Sequence, residues 1–197
     1  MSTSTSESTS TSTSLYSLFD NLDYYRLYSY GRVRSIIQPY LPQFANMNRV
    51  MPNLYIGDLS TACDTKYLAE HGITHIVTVV TGVQALHQNM FQYLLLDLRD
   101  QPSESINRHF DQCSDFIAHA IRSGGRVLVH CMCGISRSAT LIIAYLIRDH
   151  GFTPERALDL LKTIRPCVQP NEGFMRQLDD YFKYRESKVT TSRTSEL

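Results

Sequence analysis

The chain has 197 residues, of which 43% are hydrophobic and 19% charged, a composition typical of one soluble domain with a buried core. Its 19 Lys and Arg residues balance its 19 Asp and Glu residues, so no overall charge attracts nucleic acid or an anionic membrane. No apolar run approaches the roughly 20 residues that a membrane span needs. The five cysteines are odd in number and irregularly spaced, which favours a reducing location, the cytoplasm and also the nucleus, over a disulfide framework.

The first part of the chain differs in composition from the rest. Residues 1–14 are almost entirely Ser and Thr, which bury little apolar surface, so we expect a disordered tail. Within residues 15–48, Leu, Phe and Tyr recur at three- and four-residue steps, which predicts a helical extension packed on the main domain. Two other interpretations stay open for this segment: a helix that binds a partner, and a short kinase-docking motif formed by Arg32, Arg34, Ile36 and Ile37.

Short apolar runs then alternate with helical patterns, which predicts one α/β domain over residues 49–185 and a flexible tail over 186–197. Strands are expected at residues 54–56, 75–80, 92–96 and 126–129. The last of these is apolar at its centre, as in the buried middle of a sheet. Helices are expected at residues 60–71, 103–123 and 138–149, from Pro154 onward, and from Asn171 to about residue 185.

A short loop joins the predicted central strand to the most apolar helix, and it contains Cys131 and Arg137. The N-terminus of a helix carries unpaired backbone N–H groups and a partial positive charge, so a tight loop there forms a nest for an anion. Gly134 supplies the backbone freedom that such a loop needs. Arg137, six residues after Cys131, can grip two phosphate oxygens with its planar guanidinium. The same field favours thiolate over thiol and makes Cys131 a nucleophile.

The residues on either side of this loop have predicted supporting roles. Ser138 is expected to donate its hydroxyl to the sulfur of Cys131 and so stabilise the departing thiolate. His130 is expected to hold the loop through hydrogen bonds and to tune the sulfur, without acting as a base. The phosphate-binding set that the loop predicts comprises Met132, Cys133, Gly134, Ile135, Ser136 and Arg137.

The pattern His-Cys-x-x-Gly-x-x-Arg-Ser at residues 130–138, the signature loop, resembles that of the protein tyrosine phosphatase superfamily. Four further runs are similar to those of the dual-specificity phosphatases: Leu54–Gly57, Gly72–Ile76, Ala144–Ile147 and Pro170–Phe174. The resemblance covers residues 49–185. It implies a mostly parallel mixed sheet with helices on both faces, and a phosphatase that needs no metal or other cofactor and forms a phosphocysteine at Cys131.

The resemblance also implies a general acid on a separate loop, because the leaving oxygen must take a proton as the P–O bond breaks. The run Tyr93 to Pro102 resembles the segment that carries this acid, and two aspartates compete within it. Asp100 lies 131 − 100 = 31 residues before the nucleophile, similar to the interval in the family. Asp100 also lies past the end of the predicted strand, where a loop side chain can reach over the pocket, so we expect it to be the acid. Asp97 lies nearer the strand end, and we expect it to have a structural role.

The expected substrates are phosphorylated proteins. The variable positions of the signature loop carry no Lys or Arg, whereas phosphoinositide phosphatases that resemble this family place basic residues there. The chain is shorter than the domains of strict tyrosine phosphatases, which by analogy implies a shallow pocket that admits phosphotyrosine together with phosphoserine and phosphothreonine.

Three alternatives stay open. Cys131, Cys133 and His130 form a trio that suits zinc, although structural zinc takes four ligands and a metal leaves Arg137 unexplained. Cys133 is either a redox partner of Cys131 or a small filler. From another functional class, the chain is a phosphoprotein-binding domain without activity, or a module docked to a scaffold through its last three residues, 195–197.

Overall fold

A five-stranded sheet forms the centre of the computed structural model. The structure describes residues 47–85 and 87–194, and for residues 189–194 it describes only the helical backbone. The strands are β1 (Asn48–Met51), β2 (Leu54–Gly57), β3 (His75–Val79), β4 (Gln92–Leu96) and β5 (Val127–His130). Their order across the sheet is β1-β2-β5-β3-β4. The β1–β2 pair is antiparallel and the other three pairs are parallel, which confirms the predicted mixed sheet. The predictions for residues 1–46 and for the last three residues lie outside the described residues.

Helices cover both faces of this sheet. They are α1 (Leu59–Ala62), α2 (Thr65–Glu70), α3 (Phe110–Arg122, preceded by a 3₁₀ turn at Ile106–His109), α4 (Arg137–His150), α5 (Pro154–Ile164) and α6 (Glu172–Thr194). Alternate residues of β5 point to opposite faces. Val127 and Val129 pack in the cluster formed with α3 to α6, whereas Leu128 packs in the cluster that contains Leu68 of α2. Each face of the central strand is therefore buried under helices.

Three predicted boundaries are wrong. The helix expected at residues 60–71 is two short helices, because the side chain of Asp64 accepts a hydrogen bond from the backbone N–H of Tyr67 at 3.0 Å and starts α2 anew. The helix expected at residues 103–123 begins with the 3₁₀ turn and becomes α-helical at Phe110. Helix α6 continues to Thr194, past residue 185 and into the expected flexible tail, because no Gly or Pro follows Gly173 to end it.

The topology places the carboxyl end of β5 in the middle of one sheet edge. Strands β2 and β3 flank β5 in parallel register, so Gly57 and Thr78 pair with His130 at its end. Ligand sites of parallel α/β sheets lie beyond the carboxyl ends of the strands. Residues that directly follow β2 and β5 therefore lie close together at this edge of the sheet. Among the described residues, no helix is long and apolar enough to cross a bilayer.

Candidate active site

The signature loop emerges from a fully buried strand and leads into a largely buried helix. All four residues of β5 are buried, and eleven residues at the start of α4 are buried in succession, from Arg137 to Ile147. Cys131 is only 1% exposed and lies at the base of the loop. Buried elements therefore anchor the loop at both ends, and the N-terminus of α4 directs its partial positive charge toward the loop.

The carbonyl groups of residues 131–136 all accept hydrogen bonds, and five of the six bind donors outside the signature loop. The carbonyls of residues 131–136 accept, in order, from His130 Nδ1, the Leu59 N–H, two Arg165 nitrogens, the Gln169 N–H and the Thr140 N–H, over 2.9–3.2 Å. Among the described residues, no backbone N–H of residues 132–136 has a hydrogen-bond partner. The loop therefore directs its carbonyls away and keeps its N–H groups for an anion, as the sequence predicted for a nest.

Arg165 is a buried support of the loop that the sequence did not reveal. Only 3% of Arg165 is exposed. Its Nε donates to the carbonyl of Gly134 at 2.9 Å, and its terminal nitrogens donate to the carbonyl of Cys133 at 3.1 Å and to the side chain of Asn48 at 2.9 Å. An Arg at the end of an amphipathic helix normally reaches solvent, so its sequence position gave no signal of this role.

Gly134 fits where no other residue would. Its φ is +67°, in the left-handed region that glycine adopts without strain. A Cβ at this position would lie 2.5 Å from the carbonyl oxygen of Gly57 and 2.9 Å from an Arg165 nitrogen. The loop therefore packs directly against the end of β2 and against the Arg165 guanidinium.

The sulfur of Cys131 contacts Ser138, as predicted. The Sγ of Cys131 lies 3.3 Å from the Oγ of Ser138, which is fully buried in the first turn of α4. His130 Nδ1 lies 3.2 Å from the Cys131 carbonyl, and Nε2 lies 2.8 Å from the hydroxyl of Thr78. The carbonyl only accepts, so the Nδ1 nitrogen carries the proton and Thr78 donates to Nε2. Burial lowers the pKa of His130 to about 4, and the ring is neutral at pH 7.

Arg137 and Asp100 meet at the mouth of the loop. A terminal nitrogen of Arg137 donates to the Leu98 carbonyl at 3.1 Å, and its Nε lies 3.4 Å from Asp100 Oδ2. Within the described residues this buried Nε–H has no hydrogen bond, since the geometry with Asp100 is poor. Ser136 donates to Asp100 Oδ1 at 2.7 Å. The structure thus brings Asp100 to the signature loop, whereas Asp97 is exposed and accepts a 3.3 Å bond from the backbone of Gly82.

Cys133 is half-buried beside the nucleophile. Burial, with a further contribution from Cys131, raises the pKa of Cys133 to about 12, so it is a thiol at neutral pH. Within residues 47–85 and 87–194, no three His, Cys, Asp or Glu side chains group in a way that suits a metal ion. These observations favour the filler interpretation of Cys133 over a reactive or ligating one.

A scan against protein-family models matches the dual specificity phosphatase catalytic domain over residues 54–184. Dual specificity protein phosphatase 1 of Arabidopsis thaliana is 42% identical over 130 residues, which span 66% of this chain and 66% of that relative. The human serine/threonine/tyrosine-interacting protein is 37% identical over 163 residues, 79% of this chain and 73% of the relative.

Solved structures agree with these matches. The crystal structure of the human tyrosine phosphatase-like serine/threonine/tyrosine-interacting protein superposes with a TM-score of 0.68 at 37% identity, over 70% of this chain and 95% of that one. The family model spans more than half of the chain and coincides with the sheet, helices and signature loop described above. The chain therefore belongs to the dual specificity phosphatases, hydrolases that act on phosphorylated proteins.

Proposed function

We propose that Cys131 is the nucleophile of this phosphatase and that the signature loop binds the phosphoryl group during transfer. The observation that carries the proposal is the orientation of the loop around Cys131. The carbonyls of residues 132–136 bind groups outside the loop, and the N–H groups of the same residues have no partner among the described residues. Such a nest of N–H groups stabilises a negative charge, and phosphoryl transfer depends mainly on positioning and on this kind of electrostatic stabilisation.

In the first step, the Cys131 thiolate attacks phosphorus and forms an S–P bond while the bond to the leaving oxygen breaks. Arg137 holds the equatorial oxygens, because its buried Nε–H has no hydrogen-bond partner among the described residues and lies beside the signature loop, 3.4 Å from Asp100 Oδ2. Asp100 donates a proton to the leaving oxygen. The products of this step are the dephosphorylated hydroxyl group of the substrate and a phosphocysteine.

In the second step, water hydrolyses the phosphocysteine. Asp100, now ionised, takes a proton from the water, whose oxygen forms a bond to phosphorus as the S–P bond breaks. Ser138 donates a hydrogen bond to the departing sulfur from its position 3.3 Å away. His130 takes no part as a base, since its pKa of about 4 keeps it neutral and its two nitrogens are bound to Thr78 and to the Cys131 carbonyl.

The proposed substrates are proteins phosphorylated on tyrosine and on serine or threonine. The family match supports this breadth. The extra phosphates of an inositol ring would favour basic residues at the variable positions of the signature loop, and none of those positions carries Lys or Arg. A thiolate nucleophile works only while it stays reduced, and we accordingly propose the cytoplasm and the nucleus as its location.

A second candidate function is the binding of phosphoproteins without hydrolysis. The similar human protein is named tyrosine phosphatase-like and serine/threonine/tyrosine-interacting, which favours this alternative. The same nest would serve a binding protein, since it needs only the N–H groups and Arg137. The presence of Cys131 with Ser138 beside its sulfur, and of Asp100 at the mouth, favours the enzyme.

The test compares wild type with Cys131→Ser on p-nitrophenyl phosphate and on a phosphotyrosine peptide. We expect Cys131→Ser to abolish turnover, because a serine hydroxyl at neutral pH is a much weaker nucleophile, while peptide binding remains within about tenfold of wild type. Cys167→Ser, the same change at a half-buried cysteine outside the site, is the matched control and should keep full activity. Turnover by Cys131→Ser equal to that of wild type would refute Cys131 as the nucleophile.

A further inference from the structure

We propose that Asn171, at the start of α6, is a positioning residue that selects which oxygen of Asp100 carries the catalytic proton. The inference rests on the role proposed above for Asp100. The side-chain amide of Asn171 donates to Asp100 Oδ1 at 2.9 Å, across 71 residues of sequence. The hydroxyl of Ser136 donates to the same oxygen at 2.7 Å. Two donors, one from α6 and one from the signature loop, therefore converge on Oδ1.

This convergence makes the two oxygens of Asp100 chemically different. Oδ1 accepts two hydrogen bonds, and an added proton there would displace one of them. Oδ2 accepts none in the described residues and lies 3.4 Å from Nε of Arg137, the residue proposed above to hold the phosphoryl oxygens. The proton therefore resides on Oδ2, next to the place where the leaving oxygen departs. Asn171 fixes the carboxyl group in this rotation.

The backbone around Asn171 strengthens the same arrangement. Its backbone N–H donates to Ser136 Oγ at 3.2 Å, which orients that hydroxyl toward Asp100. Asn171 thus contacts both Ser136 and Asp100. It links α6 to the signature loop and to residues 97–105, which we call the acid loop. A residue that acts on Asp100 in this way touches no substrate atom, and its role is positional.

The acid loop is also docked along the first turns of α6. A Cβ on Gly173 would overlap the backbone of Pro102, so helix and loop are in direct contact. One turn later, Gln177 donates to the Glu104 carbonyl at 2.8 Å and accepts from the Asn107 N–H at 3.0 Å. The loop that carries Asp100 is therefore held in place before substrate binds. This position matters for the rate, because a displacement of roughly 1 Å at a catalytic group can cost about a hundredfold.

Asn171→Ser separates this role from the second one that Asn171 has. The Asn171 side-chain oxygen accepts from the Phe174 N–H at 3.0 Å and caps α6. Serine is an equally good cap, but its shorter side chain does not reach Asp100. Gly173→Ala tests the position of the acid loop by a different contact, because the added Cβ would displace the backbone of Pro102. Arg176→Ala is the matched control, because Arg176 is exposed on α6 and its ion pair is with Glu172, which is also exposed.

The experiment measures kcat/KM for phenyl phosphate, a poor leaving group, and for difluoromethylumbelliferyl phosphate, a good one that needs little protonation. For Asn171→Ser we expect a loss of about tenfold with phenyl phosphate and less than about threefold with the good leaving group. Gly173→Ala should show the same selectivity. Inhibition by vanadate, which reports on the signature loop, should stay within about twofold of wild type, and Arg176→Ala should match wild type throughout.

Two outcomes would overturn the inference: phenyl phosphate hydrolysis by Asn171→Ser at the wild-type rate, or equal losses with both substrates together with lost vanadate binding, which indicates general damage. Asp100→Ala is measured in parallel to separate this inference from the proposed function. If Asp100→Ala lacks the selective loss, the assignment of the acid fails. If Asp100→Ala shows it and Asn171→Ser does not, only the role of Asn171 fails.

Discussion

Asp100 and Asp97 lie three residues apart in the same segment, yet only Asp100 contacts the signature loop. We expect Asp100→Ala to lower kcat for phenyl phosphate by about a hundredfold or more, because a poor leaving group depends on protonation by the general acid. Asp97→Ala should stay within about twofold of wild type, since its side chain is exposed and the hydrogen bond that it accepts from the Gly82 N–H is long. Steady-state kinetics of the two variants measures this difference, and the reverse order would move the acid to Asp97.

The residues that could be identified from sequence are those whose chemistry depends on local spacing. Cys131, Arg137 and Ser138 lie within one loop and the first turn of one helix, so their arrangement follows from the chain itself. Arg165 and Asn171 act on groups that are 31 and 71 residues away in sequence. The predicted start of the last helix at Asn171 agrees with the structure, where its side-chain oxygen accepts from the Phe174 N–H and caps α6. Its contact with Asp100 depends on tertiary packing that no local pattern encodes.

At the scale of elements, Arg165 connects the end of α5 to the signature loop. We expect Arg165→Met to weaken vanadate binding by about tenfold or more and to lower the free energy of unfolding by about 2–4 kcal/mol, because the buried carbonyls of Cys133 and Gly134 lose their donors. Urea denaturation and vanadate inhibition of p-nitrophenyl phosphate hydrolysis provide the two measurements. Arg156→Met, on the exposed side of the same helix, is the matched control.

Vanadate affinity of Arg165→Met equal to that of wild type would show that the loop keeps its shape without this guanidinium. The control should lose little stability, since Arg156 is exposed and its side chain lies over the ring of Phe152 at 5.5 Å.

Element boundaries were harder to predict than element types. The pattern of residues 60–71 is helical throughout, but Asp64 can bond to the backbone three residues later and begins a new helix. Strand β1 was not predicted because its four residues mix polar and apolar side chains, and it forms by pairing with β2. In both cases a competing interaction, local for Asp64 and long-range for β1, decides the outcome.

For the whole molecule, the alternation of strands and helices was sufficient to predict the layered α/β fold. The apolar centre of β5 indicated a middle strand, and its neighbours in the sheet are β2 and β3. The strand order itself was not predicted, since it depends on which crossovers pack their helices on each face. That order brings the ends of β2 and β5 together and positions Gly57 against Gly134.

Global stability should depend on pH through His130. Burial lowers its pKa to about 4 from an ordinary value of 6.5, so the folded protein resists a proton that the unfolded chain accepts. The resulting stabilisation is complete above about pH 6.5 and is lost as the pH falls toward 4. We expect the contribution of His130 to the free energy of unfolding to fall by about 2 kcal/mol between pH 7 and pH 5, measured by urea denaturation at each pH.

His130→Asn isolates this contribution, because asparagine keeps a donor and an acceptor near the Cys131 carbonyl and Thr78 but does not titrate. The loss of stability between pH 7 and pH 5 should be smaller in this variant by about 2 kcal/mol. Burial also lowers the pKa of His75, but that residue titrates in both proteins, so its effect cancels in the comparison. An unchanged pH dependence in His130→Asn would mean that this ring is not what makes the fold acid-sensitive.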